Sequence, residues 1–216
     1  SNGTTWTVCT GSPTTTVEFM KFVGSAFIIG NNNGSGSILA STDGITFTRT
    51  GPVSVSSYDV AFGASTYVVV TSTGAVYSAT TPTSTWTSRT AGTTSLYSVT
   101  YGSTTGRFVA VGESNGSKTQ IYSSTDGITW ALTASSLTLA TAVKVKSDGT
   151  NYVAITNNAV YYTSTDGTTW TNNLDMNLRT TPSITGYQEY LDYSGSKWVF
   201  AKASSCVLTS TDRVTW

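Results

Sequence analysis

The residue types that usually carry acid–base or metal chemistry are scarce in this chain. Its 216 residues include no histidine, which removes the commonest general base and metal ligand. Glutamate occurs only as Glu18, Glu113 and Glu189. Of the eight aspartates, Asp43, Asp126, Asp166 and Asp212 recur in one repeated turn. The grouping closest to glycoside hydrolysis is Tyr187, Glu189, Tyr190 and Asp192, two carboxylates beside tyrosines. Glu189 and Asp192 are three apart in a stretch that reads as a strand, so they point to opposite faces. The group therefore reads as a channel-lining strand. Calcium loops need several carboxylates close together, whereas each turn here offers one. No metal or cofactor is expected, and the chain is not expected to be an enzyme.

The elements that must position any site come from a repeat. Ser124-Thr-Asp-Gly-Ile-Thr-Trp130 returns at Ser41–Phe47, Ser164–Trp170 and Ser210–Trp216, with a worn copy ending at Trp86 and a partial one ending at Trp6. The closing aromatics, Trp6, Phe47, Trp86, Trp130, Trp170 and Trp216, are spaced by 41, 39, 44, 40 and 46 residues. Five repeats of about 43 residues follow, roughly 7–47, 48–86, 87–130, 131–170 and 171–216. Each holds an alternating strand, a more apolar strand such as Phe108-Val-Ala-Val111, a strand before the motif such as Gln120-Ile-Tyr-Ser123, and a short polar strand after it. Four short strands with tight turns describe a propeller blade.

The expected fold is all-β, one five-bladed β-propeller of four-stranded antiparallel blades over residues 1–216. An open stack of hairpins, or a fragment of a larger ring, is the alternative. Asp-Gly in the motif reads as a two-residue hairpin turn with both central residues at positive φ, and its Ser and Asp side chains as partners for turn amides. Phe47, Trp86, Trp130, Trp170 and Trp216 are then buried between sheets.

Composition narrows the function. Charged residues are 10% of the chain, against about a quarter in an average soluble domain, and the net charge is zero. No basic stripe invites nucleic acid or an anionic membrane, and no apolar run approaches membrane-helix length. The chain opens with Ser, not Met, and reads as processed or as a piece of something longer.

Ser-Thr-Asp-Gly-x-Thr-Trp resembles a shortened Asp-box, the hairpin motif of sialidase-like propellers, with one residue fewer between Asp and Gly. The repeats are similar to Asp-box-like repeats of phage tail proteins and secreted bacterial proteins. The resemblance covers the whole chain and implies the propeller fold. Sialidases of that kind need three arginines around a carboxylate. Here Arg49 and Arg89 fall on outer strands, Arg107 opens a second strand, Arg213 lies in the last turn, and only Arg179 is placed in a loop near an inner rim. Sialidase chemistry is therefore not expected.

Two cysteines lie near the chain ends, Cys9 and Cys206. Aligning Trp6 with Trp216 puts Cys9 where residue 219 would fall, opposite Cys206 in an antiparallel pair. The N-terminal strand, about residues 4–10, is thus expected to complete the last blade and close the ring, with a Cys9–Cys206 disulfide as staple. Such a bond contributes up to roughly 5 kcal/mol in the chain-entropy view and implies an oxidising location, extracellular or on a virion surface. Residues 213–216 compete for the same place, so the tail is either displaced or leads into a further domain.

Together these features point to a non-catalytic binding or adhesion module that recognises carbohydrate or a cell-surface receptor. Tyr58, Tyr97 and Tyr187 are the first candidates for ligand contact. The alternatives are a structural or decoration module packing against itself or other fibre, tail or capsid proteins, and, more remotely, a glycoside hydrolase. The inner strands also bring Lys21, Ala61, Thr100, Lys146 and Asp192 to matching positions, read as a solvated channel lining.

Overall fold

In a computed structural model, the chain is described except for residues 1–3, 5, 12, 14, 33–37, 52–54, 117–118, 134–136, 138–139, 158–159, 174–189 and 203–205. The first sheet comprises β1 (Val17–Val23), β2 (Ala26–Asn31), β3 (Ile38–Ser41) and β4 (Thr48–Arg49). The second comprises β5 (Ser57–Gly63), β6 (Thr66–Thr71), β7 (Ala75–Ala79) and β8 (Thr87–Thr90). The third runs through β9 (Leu96–Gly102), β10 (Arg107–Gly112), β11 (Gln120–Ser124) and β12 (Ala131–Leu132). The fourth runs through β13 (Ala142–Ser147), β14 (Tyr152–Thr156), β15 (Tyr161–Ser164) and β16 (Thr171–Asn173). The fifth has β17 (Tyr190–Tyr193), β18 (Trp198–Lys202) and β19 (Cys206–Ser210).

Sequence order is spatial order in every sheet, and all strand pairs within the sheets are antiparallel. The first strands, β1, β5, β9, β13 and β17, contact one another in succession. The five sheets are therefore the blades of a five-bladed β-propeller, with the first strand of each nearest the axis. No helix among the described residues is long and apolar enough to cross a membrane.

Burial explains the strand compositions. The second strands of blades 2, 3 and 4 have a neighbouring blade on each face, so β6, Thr-Tyr-Val-Val-Val-Thr, is buried along its whole length. Ile28 and Ile38 of blade 1 share one cluster with Val60, Tyr67 and Val69 of blade 2. The same pattern joins blades 2 and 3, 3 and 4, and 4 and 5. The motif aromatics enter these junctions: Trp86 packs between blades 1 and 2, Trp130 between 2 and 3, Trp170 between 3 and 4, and Trp216 between 4 and 5. The Trp86 indole N–H donates to Thr50 Oγ1 at 3.1 Å.

The motif turn differs from the expected two-residue hairpin. Ser124 ends β11 and Ala131 begins β12, so a longer loop joins them. Only the residue after Asp is left-handed: Gly44, Gly127 and Gly167 each have φ +72°, and Arg213 has +66° in the last copy. The Asp is bound instead as an acceptor. In the third blade Asp126 Oδ1 takes the amides of Ile128 at 2.8 Å and Thr129 at 2.9 Å, and the Ser124 hydroxyl at 2.9 Å. Ser124 Oγ in turn accepts the Gly127 amide at 2.8 Å. The pattern recurs at Asp43, Asp166 and Asp212. The amides of Thr46 and Ile45 and the Ser41 hydroxyl hold the Asp43 carboxyl down at about 2. A true two-residue turn does occur elsewhere, between β5 and β6, where Ala64 and Ser65 are both left-handed.

Ring closure also differs. Residues 4–10 do not end on the fifth blade: Thr10 forms a parallel bridge with Thr46 in the first blade's turn. Its amide donates to Ile45 O and its carbonyl accepts from Phe47 N, each at 3.0 Å. The Cys9 thiol donates to Gly44 O at 3.3 Å. The Cys206 side chain lies outside the described residues, so the expected disulfide is not described at that end. The competition for residues 213–216 is settled by this arrangement. Those residues keep their own turn, and Trp216 meets Tyr161 with ring centroids 6.0 Å apart.

Trp86→Ala is expected to lower the unfolding free energy by about 3–5 kcal/mol, measured by urea denaturation. Trp86→Phe, which keeps most of the packing but loses the bond to Thr50, should cost clearly less.

Candidate functional site

At the axis, four blades converge on one carboxylate. Asp59 follows a register shift at the start of β5 and is 1% exposed. Its Oδ1 pairs with the Lys21 ammonium of β1 and accepts the Val60 amide at 2.8 Å. Its Oδ2 accepts the Ser98 hydroxyl at 2.8 Å and the Val99 amide at 3.2 Å, both from β9, and the Lys144 ammonium of β13 at 3.3 Å. Burial alone would raise the Asp59 carboxyl. The charges of Lys21 and Lys144, with the hydrogen bonds from Lys21 and Ser98, outweigh it and hold the group far below the usual carboxylate range.

A second pair lies beside the first. Lys146 of β13 meets Asp192 of β17 at 2.7 Å. Burial opposes ionisation of Asp192, but the hydrogen bond from Lys146, the Tyr193 amide and the charges of Lys146 and Lys21 lower its carboxyl overall. Blades 3 and 4 are tied by the Val145 amide to Ser98 Oγ at 3.3 Å and the Ser147 amide to Thr100 Oγ1 at 3.2 Å.

Of the residues read as a solvated lining, Lys21, Lys146 and Asp192 keep solvent-exposed side chains, whereas Ala61 and Thr100 do not. Ala61 and Thr100 are buried, and the three charged members are ion-paired. Asp59 and Lys144, which organise the axis, were not singled out from the sequence. The available signal was a lone carboxylate inside an otherwise apolar strand, with a Lys two positions before Lys146.

Tyr58 and Tyr97 precede Asp59 and Ser98 by one residue each. Both are half-buried, and their ring centroids lie 5.6 Å apart at 43°. The structure thus brings these two candidates together. The third, Tyr187, lies outside the described residues, as do Glu189 and Arg179. Arg49 and Arg89 lie on β4 and β8, Arg107 opens β10, and Arg213 sits in the last turn. The described residues contain no group of three or more His, Cys, Asp or Glu able to hold a metal ion. Chemically, these strands offer an aromatic pair, Tyr58 and Tyr97, and a separate network of ammonium, hydroxyl and amide groups around Asp59.

No protein family and no curated protein matches the chain by sequence. Among solved structures, the chain is similar to the Niastella koreensis GH74 enzyme, with TM-score 0.66 and 16% identity over 94% of this chain and 30% of that one. It is also similar to the computationally designed Ika8 protein, with TM-score 0.65 and 10% identity over 89% of this chain and 57% of the other. A third similar structure is YCF48 bound to D1 peptide, with TM-score 0.56 and 13% identity over 94% and 69%. The chain thus spans under a third of the GH74 enzyme and just over half of Ika8. At these identities the likeness is one of fold.

Asp59→Ala is expected to destabilise by roughly 3 kcal/mol, because two lysines lose their shared counter-ion. The pH dependence follows from the lowered carboxyl. Its contribution is complete above the ordinary value of 3.8 and is lost as pH falls toward the folded-state value. Urea unfolding between pH 7 and 2 should show stability declining below about pH 4, with a shallower decline in Asp59→Asn.

Proposed function

We propose that this chain is a non-catalytic binding module, extracellular or virion-associated, that recognises carbohydrate at the axial end marked by Tyr58 and Tyr97. The paired rings carry the reading. Two half-buried tyrosines, their centroids 5.6 Å apart, form an apolar face wide enough for a sugar ring, and their polar tips suit its hydroxyls. The neighbouring lysines Lys21 and Lys144 are fixed by Asp59, which favours a pre-organised surface. The same contacts argue against acid–base catalysis at Asp59: both its oxygens are engaged, and it stays ionised near neutrality. The repeated Ser-Thr-Asp-Gly turn fits an Asp-box-like propeller of the phage tail or secreted bacterial kind.

A second reading is a module that packs against protein. It is favoured by exposed apolar side chains on blade 1, Met20 and Phe22, and by the existence of a similar fold recorded with a bound peptide.

The test is a multivalent glycan-array screen of the native chain with Tyr58→Ala and Tyr97→Ala. Binding to one glycan class, reduced at least tenfold in each variant and equivalent to about 1.4 kcal/mol, is the expected result. A blank array from folded protein, or binding unchanged in both variants, contradicts the carbohydrate reading.

A further inference from the structure

We infer that the junction between the fifth and first blades is a docking face for one further blade of the same repeat. The inference is independent of the ligand proposed above.

The argument compares equivalent positions. Strand register aligns Met20, Val60, Val99, Val145 and Leu191, which lie opposite Ile29, Val69, Ala110, Ala154 and Phe200. The last four first-strand residues are 1, 2, 2 and 4% exposed, each covered by the preceding blade, whereas Met20 is 65% exposed. One step along, Phe62 and Tyr101 pack into the blade 1–2 and 2–3 junctions. Their counterpart Phe22 is 61% exposed and stacks only on Phe27 of its own blade among the described ring contacts.

The opposite wall behaves the same way. Register aligns Ile38, Val76, Ile121, Tyr161 and Val207 on the third strands. The first four are at most 1% exposed, each lying under the next blade, whereas Val207 is 66% exposed. A third observation comes from the motif turns. A Cβ added at Gly127 would meet Val68 of the preceding blade, and one at Gly167 would meet Arg107 and Val109 of the preceding blade. At Gly44, in blade 1, the three nearest atoms it would meet all belong to Phe27 of the same blade.

On both walls, then, positions that are buried at the other four junctions stand exposed, on β1 in blade 1, where Ile29 and Leu39 of the same face are covered, and on β19 in blade 5. An occupant that fits both must present a column like Val60, Val99 and Val145 on one face and a column like Ile38, Val76 and Ile121 on the other. A sheet of this repeat has that two-sided chemistry. It also supplies a polar strand for the outer edge of β19, the position that β4, β8, β12 and β16 fill in the other sheets. The similar folds of Ika8 and YCF48 hold the aligned region within longer chains.

The experiment appends a copy of residues 87–130 after Trp216 and follows Met20 oxidation by dilute hydrogen peroxide, read by peptide mass spectrometry alongside Tm and light-scattering mass. The expected result is rapid oxidation of Met20 in the present chain, at least tenfold slower oxidation in the extended one, a higher Tm and a monomeric mass. Met20 as reactive in the folded extension as in the present chain would overturn the inference. So would protection in the present chain that appears only with dimerisation, which would make a second copy the occupant. Met20→Lys in the present chain gives a readout that does not depend on the extension folding. An unchanged Tm is expected, set against the collapse expected of Val60→Lys. A comparable loss in both would mean that the chain's own fifth blade already covers this face.

Discussion

Each sheet of this molecule is apolar on both faces, and that constraint governs everything else. A single blade of four short strands cannot bury either face alone, so each depends on a neighbouring blade for its stability. The identity of the second-strand residues, the placing of each motif aromatic and the small side chains at the turns all serve this mutual covering. Val68 and Val70 are buried because the third blade lies on them, and Val109 and Val111 because the fourth does. The motif turn contributes by laying its left-handed glycine against the preceding sheet, where at Gly127 a Cβ would come within 2.7 Å of Val68.

At the axis the apolar logic gives way to a polar one. The first strands crowd together there, and the space is filled by one buried carboxylate that draws donors from blades 1, 3 and 4. Removing water from Asp59 is costly, but its five donors compensate. The network also holds the backbone beside it, so Tyr58 and Tyr97 are presented by a rigid floor. Structure and proposed function meet at this point: the residues that join the blades are chain neighbours of the aromatic pair.

Much of the fold was legible from spacing. The recurrence of an aromatic at 47, 86, 130, 170 and 216 located the blades, and the apolar runs around Val68, Val109 and Val153 located their second strands. The length of the turn was misread because Asp-Gly usually marks a two-residue hairpin, although the Asp and Ser side chains do bind turn amides as expected. The N-terminal strand was placed by analogy with Trp216, but the pairing of Thr10 with Thr46 depends on contacts that no local pattern encodes. Of the site, Tyr58 and Tyr97 were legible as aromatics at strand starts. Asp59 was not, because its partners Lys21, Ser98 and Lys144 lie 38, 39 and 85 residues away. The exposure of Met20 was equally hidden, since Val17–Val23 has the composition of any inner strand and differs only in what stands beside it.

The central claim is that a blade owes its stability to the blades on either side. Amide hydrogen exchange resolved by strand tests it most directly. If the account is right, amides of β5, β9 and β13, which have a packed blade on each side, exchange only through global unfolding. Those of β1, open on one face, exchange through a separate and lower-energy opening. Equal protection of β1 and β9 would contradict it, because strand stability would then not depend on the neighbouring blade.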